Sequence, residues 1–537
     1  MLVHDIRGYS FLGNRFGTFS AMLVEGGKVV AVGDSVDLLR RHPKAERLNG
    51  NGKTLLPGLI DVHGHIFNLG YYFSQVGLGG MTSLTQAQAA VATYAGANPQ
   101  EQWILGRGWN ESHWNLGRMP TAADLDTVVA DRPVALRRID GHALWANSRA
   151  LEMAGIGAAT ADPAGGHIAR DSQGKATGIL VDKAMPMLLE HVPPPDDAAQ
   201  RRALDAALGH LGSIGVTGAG DAGVRVTPRE VQLYQEYAAA GKLSTRIYAM
   251  IGDVTEDFAQ LSKAGPLVNA FDDRFNLRTV KLFADGALGS HGAAMLDDYS
   301  DRSGGAGLFR GLLMMDDGAM RAKIRTAIEY GYQVCVHAIG DAANRQVLDA
   351  FESVYQQVGG RHLRHRIEHA QILAPSDVPR LKALDLVASM QPTHATTDMN
   401  IAEAYIGRRR LEGAYAWRTL VEQGTVVAGG SDFPVEPANP FYGLHAAITR
   451  QDRQGQPPGG WQPHEALSPS QALRAFTLDA AYAQHQEDIL GSLEPGKWAD
   501  FILVDRDPFA IPPDDIWKTE VLQTWVAGEC VFDRSRR

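Results

Sequence analysis

Cysteine is scarce in this 537-residue chain: there are two, Cys335 and Cys530. They stand far apart, each in an apolar strand-like run, and no C-x-x-C spacing occurs. A disulfide framework and a zinc knuckle are therefore both excluded as organising devices, and two reduced core thiols are expected. A basic surplus is missing as well. The formal net charge is -10, and without a basic footprint neither nucleic acid nor an anionic membrane surface is expected as the main partner. No apolar run reaches the roughly 18 residues of a transmembrane helix. The start, MLVHDIRGYSFLG, lacks a basic region followed by an apolar stretch, so it does not read as a signal peptide. Cytoplasmic residence is the default expectation, with a secretion signal already removed as the alternative. About a small substrate these absences say little.

The composition that is present, 45% hydrophobic and 21% charged, is that of a globular protein. A chain of this length exceeds one ordinary core and implies several domains or a decorated barrel. Near the start, FSAMLVEGGKVVAVGD sets two short strands around Gly26-Gly27, a hairpin signal. GSLEPGKWADFILVDRD and VLQTWVAGECVFD repeat that texture at the other end. One small β-sandwich domain built from both termini, residues 1–56 and 481–537, is the expectation.

The middle alternates short Val/Ile/Ala-rich runs with amphipathic helices such as 196–212, where Leu204, Ala207, Leu208 and Leu211 fall at helical spacing. Strands are predicted at 55–65, 215–223, 244–252, 278–286, 332–341, 364–372, 386–394 and 425–433. Eight strands with intervening helices fit a parallel (β/α)8 TIM barrel, with reactive residues at the strand carboxyl ends. Barrel strand one belongs to a 57–85 region and the rest of the barrel to 191–480. Residues 86–190 between them read as an inserted α+β domain that caps the substrate, and the triple proline at 193–195 marks its exit.

The strand ends carry a non-random set of residues. DVHGH places His63 and His65 two apart on one strand, hence on one face. Taken alone, such a pair in a chain with 18 histidines is as well explained by chance. Strand four carries Lys281, strand five His337, strand six His369 and strand eight Asp432. Each has an ordinary alternative: a core histidine for His337, polar strand ends for His369 and Asp432. Lys281, between Val280 and Leu282, is costly to bury unpaired. Imidazole and carboxylate together suit Zn²⁺ and other divalent first-row metals.

This set in this order, with VKLFADGALGS, VHAIGDAANRQVLDAFE, RIEHAQ, SMQPTHATTDM, GSDFPVEP and GSLEPGKWADFILVD, resembles the amidohydrolase superfamily and, in its wording, the YtcJ-like branch that includes N-substituted formamide deformylase. The resemblance implies two divalent metal ions, zinc first among the candidates. His63, His65 and Asp432 would bind one ion, His337 and His369 the other, with an N6-carboxylated Lys281 and a hydroxide bridging them. Asp432 would accept a proton and pass it to a leaving amine, and His394 would polarise the substrate carbonyl or only support a ligand. His142 and Trp145, from the phrase DGH-x-x-W-x-N, are expected to close over the substrate, with a structural role as the alternative. Asp285 and Ser290 are expected to line the mouth, and Trp109 and Trp114 to form an apolar wall, though aromatics in such loops more often pack. The chain departs from the family at Asn110, where an acidic residue is frequent, and at His291, where arginine is frequent. The implied activity is hydrolysis of an amide, N-acyl or N-formyl C–N bond in a small molecule. An ester, lactone or cyclic imide substrate stays open, as do a catalytically silent binding protein on the same scaffold and a homodimeric assembly.

Overall fold

The computed structural model describes the chain except residues 14, 140, 142, 164–165, 224–226, 303–308 and 537, with the backbone alone at 112 and 182. It divides into two compact units, Met1–Ile66 with Leu208–Arg537, and Phe67–Ala207. No helix among the described residues is long and apolar enough to cross a membrane.

The first unit contains the expected parallel strands: β1 (Leu59–Gly64), β2 (Val216–Asp221), β3 (Arg246–Gly252), β4 (Phe275–Phe283), β5 (Gln333–Ala338), β6 (Arg366–His369), β7 (Val387–Met390) and β8 (Val427–Gly429). They pair in sequence order, every pair parallel. Nearly all their residues are buried. That is why they read as continuous apolar runs rather than as alternating patterns: a parallel sheet covered on both faces has no wet side. Beyond β8 the sheet nearly closes on itself. The Asp432 N–H donates to the His63 carbonyl at 2.7 Å, and the His65 N–H donates to the Phe433 carbonyl at 2.8 Å.

Two glycines let β1 approach its neighbours, Gly64 toward the residues after β8 and Gly58 toward β2. At Gly64 a Cβ would lie 2.2 Å from the Phe433 ring, and at Gly58 one would lie 2.1 Å from Thr217 Oγ1. Gly58 also marks where the predicted strand 55–65 divides. Residues up to Pro57 belong to another sheet, and only Leu59 onward belongs to the barrel.

That other sheet joins strands from both termini. Leu2–Leu12, Arg15–Glu25, Lys28–Gly33, Arg47–Pro57, Phe501–Val504, Val521–Val526 and Glu529–Asp533 form one seven-stranded sheet, with Phe501–Val504 antiparallel to Arg47–Pro57. Strand alternation sorts its side chains. Val3, Met22, Val24, Leu55, Phe501 and Leu503 pack on one face, and Leu2, Ala21 and Leu23 pack with Leu38 of helix Ser35–Arg41 on the other.

The unit Phe67–Ala207 begins before the expected insertion boundary at 86 and ends after 190. It holds a six-stranded sheet in which Val76–Gly77, Ile104–Trp109 and Val134–Arg138 run parallel. Trp109, Trp114 and Trp145 form the centre of its core, with ring centroids 5.7 to 6.4 Å apart. Each indole N–H donates to a backbone carbonyl: Trp109 to Leu136, Trp114 to Met81 and Trp145 to Thr121.

A Gly64→Ala substitution is expected to destabilise the chain by about 1–3 kcal/mol, the cost of overpacking, read from the midpoint of urea unfolding. Because the collision is with one ring, Gly64→Ala combined with Phe433→Ala should lose less than the sum of the two single losses.

Candidate metal centre

Three side chains on one face of β1 and the residue after it do most of the local positioning, because positions 61, 63 and 65 alternate inward together. The Asp61 carboxylate accepts from the His63 N–H at 3.1 Å, the Ser431 N–H at 3.1 Å and the Ser431 hydroxyl at 2.6 Å. It thereby ties the end of β1 to the turn that presents Asp432. Gly430 in that turn has no room for a side chain: a Cβ would meet Asp61 Oδ1 at 2.9 Å.

Two ligand candidates sit in left-handed backbone. His369 has φ 72° and Asp432 has φ 61°, a region that non-glycine residues occupy at a cost and often at functional sites. At His369 the consequence is specific. Regular alternation would send Glu368 and His369 to opposite faces of β6, yet both reach His63. Glu368 Oε2 pairs with His63 Nδ1, and the His369 ring centroid lies 4.8 Å from that of His63.

The expected ligands do come together. One ligand atom each from His63, His369 and Asp432 lies within 4.8 Å of the others. His65 Nε2 is 2.9 Å from Asp432 Oδ1, and His63 Nε2 is 3.6 Å from the same oxygen. Lys281 Nζ is 3.3 Å from His63 Nε2. The rings of His337 and His369 are 4.5 Å apart. His394, on helix Pro392–Asp398, places Nε2 3.6 Å from Asp432 Oδ2.

The protonation states suit a divalent cation. Burial lowers His63 to about 4 and His337 to about 3, and takes His369 well below the usual imidazole range. Burial pushes the Asp432 carboxyl up, but the His65 bond and the neighbouring imidazoles outweigh it and hold the group well below the ordinary range. Neutral imidazoles and an ionised carboxylate are the forms that bind metal. Three buried nitrogens, His65 Nδ1, His337 Nε2 and His394 Nε2, have no hydrogen-bond partner among the described residues. Lys281 is 1% exposed and has no carboxylate within 4.0 Å among them. The Phe283 ring centroid lies 4.7 Å from Nζ. Burial lowers its pKa and so favours the neutral amine. The donor set fits a divalent metal centre, and the buried amine fits the carbamate that the family resemblance implies.

Sequence reasoning missed the groups that hold these ligands. Glu368 accepts from Arg366 Nε at 2.7 Å and Nη2 at 2.9 Å, and from the Ser389 hydroxyl at 2.6 Å, besides pairing with His63. Burial works against its charge, yet Arg366 and His63 keep the carboxyl well below its ordinary range. Gln391 Oε1 lies 2.7 Å from His369 Nδ1. The available signal was RIEHAQ, where Arg366 and Glu368 fall two apart on one strand face.

Other expected site residues are engaged elsewhere. The Asp285 carboxylate accepts from the N–H groups of Ile339, Gly340 and Ala294 at 2.8 to 3.0 Å, with His337 Nε2 at 3.6 Å. Burial raises it to about 7. The Ser290 hydroxyl donates to the Ala287 carbonyl at 3.2 Å. Trp109 and Trp145 are fully buried, and Trp114 is 5% exposed, so these rings present core packing rather than an open apolar wall. His142 lies outside the described residues. Where the family often has arginine, His291 Nε2 is 2.8 Å from Asp301, and its ring stacks on Tyr405 at 4.1 Å.

A nearly closed parallel barrel whose strand ends gather histidines, a lysine and an aspartate is the arrangement of a metal-dependent hydrolase. Sequence comparison agrees, and the chain belongs to the amidohydrolase family, whose model matches residues 48–532. It is 33% identical to the putative amidohydrolase YtcJ of Bacillus subtilis, over 96% of both chains. It is 29% identical to N-substituted formamide deformylase of Arthrobacter pascens, over 96% of this chain and 95% of that one. Among solved structures it resembles an uncharacterized metal-dependent hydrolase from Pyrococcus horikoshii, with a TM-score of 0.79 and 25% identity, covering 95% of this chain and 98% of the other.

Replacing Glu368 with Gln should weaken divalent-metal affinity by about 10–100-fold in a chelator competition, the usual cost of losing an outer partner of a histidine ligand. It should also destabilise the fold by about 3–5 kcal/mol, since Arg366 would lose its buried counter-charge.

Proposed function

We propose that this hydrolase uses two divalent metal ions, zinc first among the candidates, to cleave an amide, N-acyl or N-formyl C–N bond of a small molecule. The observation that carries the reading is the buried cluster of His63, His369 and Asp432 with Lys281 Nζ 3.3 Å from His63 Nε2. The likeness to N-substituted formamide deformylase supports the choice of bond.

In this reading His63, His65 and Asp432 would hold one ion, His337 and His369 would hold the other, and Lys281, as a carbamate, would supply a further ligand. Bound ions supply a hydroxide nucleophile at neutral pH and Lewis-acid stabilisation of developing charge. The residues themselves do the rest. Glu368 keeps the proton of His63 on Nδ1, so that Nε2 is the coordinating atom. Oδ1 of Asp432 faces the nitrogens of both His63 and His65 and is the oxygen that would join them on the ion, and Oδ2 would take the nucleophile's proton and deliver it to the departing nitrogen. His394, through Nε2–H, donates a hydrogen bond to the substrate carbonyl oxygen as it gains charge. The unit Phe67–Ala207 is the substrate-selecting insertion.

The test is a panel of N-formyl and N-acyl amines against esters and lactones of matched side chain, assayed with metal-loaded protein. Turnover of the amides is expected. Lys281→Ala should cut kcat/KM by more than the roughly 100-fold attached to outer-shell losses, with partial rescue by short carboxylates standing in for the carbamate. A fully active Lys281→Ala enzyme, or hydrolysis confined to esters and lactones, would contradict the reading.

A further inference from the structure

Helix Pro392–Asp398 carries more than His394. Thr393, Thr396 and Thr397 of the same helix line a cavity of about 130 Å³, completed by Glu436 after β8 and by Tyr442 and Arg453. In size it approaches an engineered cavity of about 150 Å³ that holds benzene, so it suits a ligand of about six non-hydrogen atoms. Its walls are polar, unlike that example, and three of its groups lack what their chemistry calls for.

Thr393 is 7% exposed, and its hydroxyl has no hydrogen-bond partner among the described residues. The half-buried Glu436 accepts one bond, from the Thr397 hydroxyl to Oε1 at 2.6 Å, and no cationic nitrogen lies within 4.0 Å of its carboxylate among the described residues. At the exposed rim the Arg453 guanidinium stacks over the Tyr442 ring at 4.4 Å, with no carboxylate within 4.0 Å among the described residues. His445 also lines the cavity, but its ring nitrogens face the carbonyls of Pro513 and Asp452 at 3.1 Å each. It is already occupied.

A buried hydroxyl without a partner can accept from an N–H group, a carboxylate with one hydroxyl donor and no cation has acceptor capacity to spare, and a guanidinium without a carboxylate can take one. An ammonium can donate to both acceptors at once. We propose that this cavity binds a small zwitterion, a free amino acid of about six non-hydrogen atoms, with its ammonium on Glu436 and Thr393 and its carboxylate on Arg453. None of the proposed metal ligands lines this cavity, so the proposal does not depend on the hydrolase reading.

Isothermal titration of the full metal-loaded chain tests it, with glycine and β-alanine as zwitterions, ethylammonium as the cation alone and acetate as the anion alone. One saturable site is expected for the zwitterions, with the single-charge probes about tenfold weaker or more, the loss of one charged hydrogen bond. Glu436→Gln, Thr393→Val and Arg453→Gln should each weaken zwitterion binding by about tenfold or more, while circular dichroism and melting temperature report an unchanged fold. Absence of saturable binding would overturn the proposal, and so would zwitterion affinity unchanged in Glu436→Gln and Thr393→Val. Binding kept in Glu436→Gln but lost in His337→Ala would overturn it too, by assigning the probe to the metal ligands.

Discussion

The meeting of β1 and β8 is the constraint on which the rest of the centre depends. Two backbone hydrogen bonds, Asp432 to His63 and His65 to Phe433, nearly close the parallel sheet and in the same step set three candidate ligands side by side. Barrel closure and metal-site assembly are thus one event. Asp61 reinforces it from beneath, bonded to both strand ends. Burial raises its carboxyl to about 7 even so, which marks how dry the junction is. The missing side chains at Gly64 and Gly430 are the steric condition for the approach.

Charge inside the barrel is arranged unevenly. The Arg366–Glu368 pair is fully buried, and Ser389, His63 and the Val62 carbonyl add hydrogen bonds to it. A buried pair adds little net stability over an apolar core, but it fixes geometry where its bonds are satisfied. Here what it fixes is the orientation of His63. Lys281, on β4 of the same sheet, has no carboxylate within 4.0 Å among the described residues. A buried amine with burial lowering its pKa is poised to stay neutral, and neutrality is the condition for reaction with CO₂. One interior therefore holds a carboxylate whose charge its neighbours favour and an amine whose uncharged form burial favours.

Much of the barrel was legible in the sequence. Each of the eight predicted strands is present, because doubly covered parallel strands write themselves as short apolar runs and their reactive residues stand at the ends. Boundaries were less legible: the apolar run 55–65 crosses from one sheet to another at Gly58 with no change in hydrophobicity. The second compact unit runs from Phe67, within the apolar helix Ile66–Phe73, where no composition shift marks a boundary. The candidate ligands were readable one by one. Glu368 was not, since strand alternation assigns it and His369 to opposite faces, and only the left-handed backbone at His369 brings both to His63. Trp109 and Trp114 were open to two readings, a binding wall or packing, and their indoles are hydrogen-bonded at the centre of a core.

The central claim is that these side chains form one centre for two metal ions. Elemental analysis of the purified, zinc-loaded and dialysed chain measures it directly. The account predicts two equivalents of divalent metal per chain, falling to about one or fewer in Lys281→Ala, where the bridging group is gone. Less than one equivalent in the unaltered chain would contradict it.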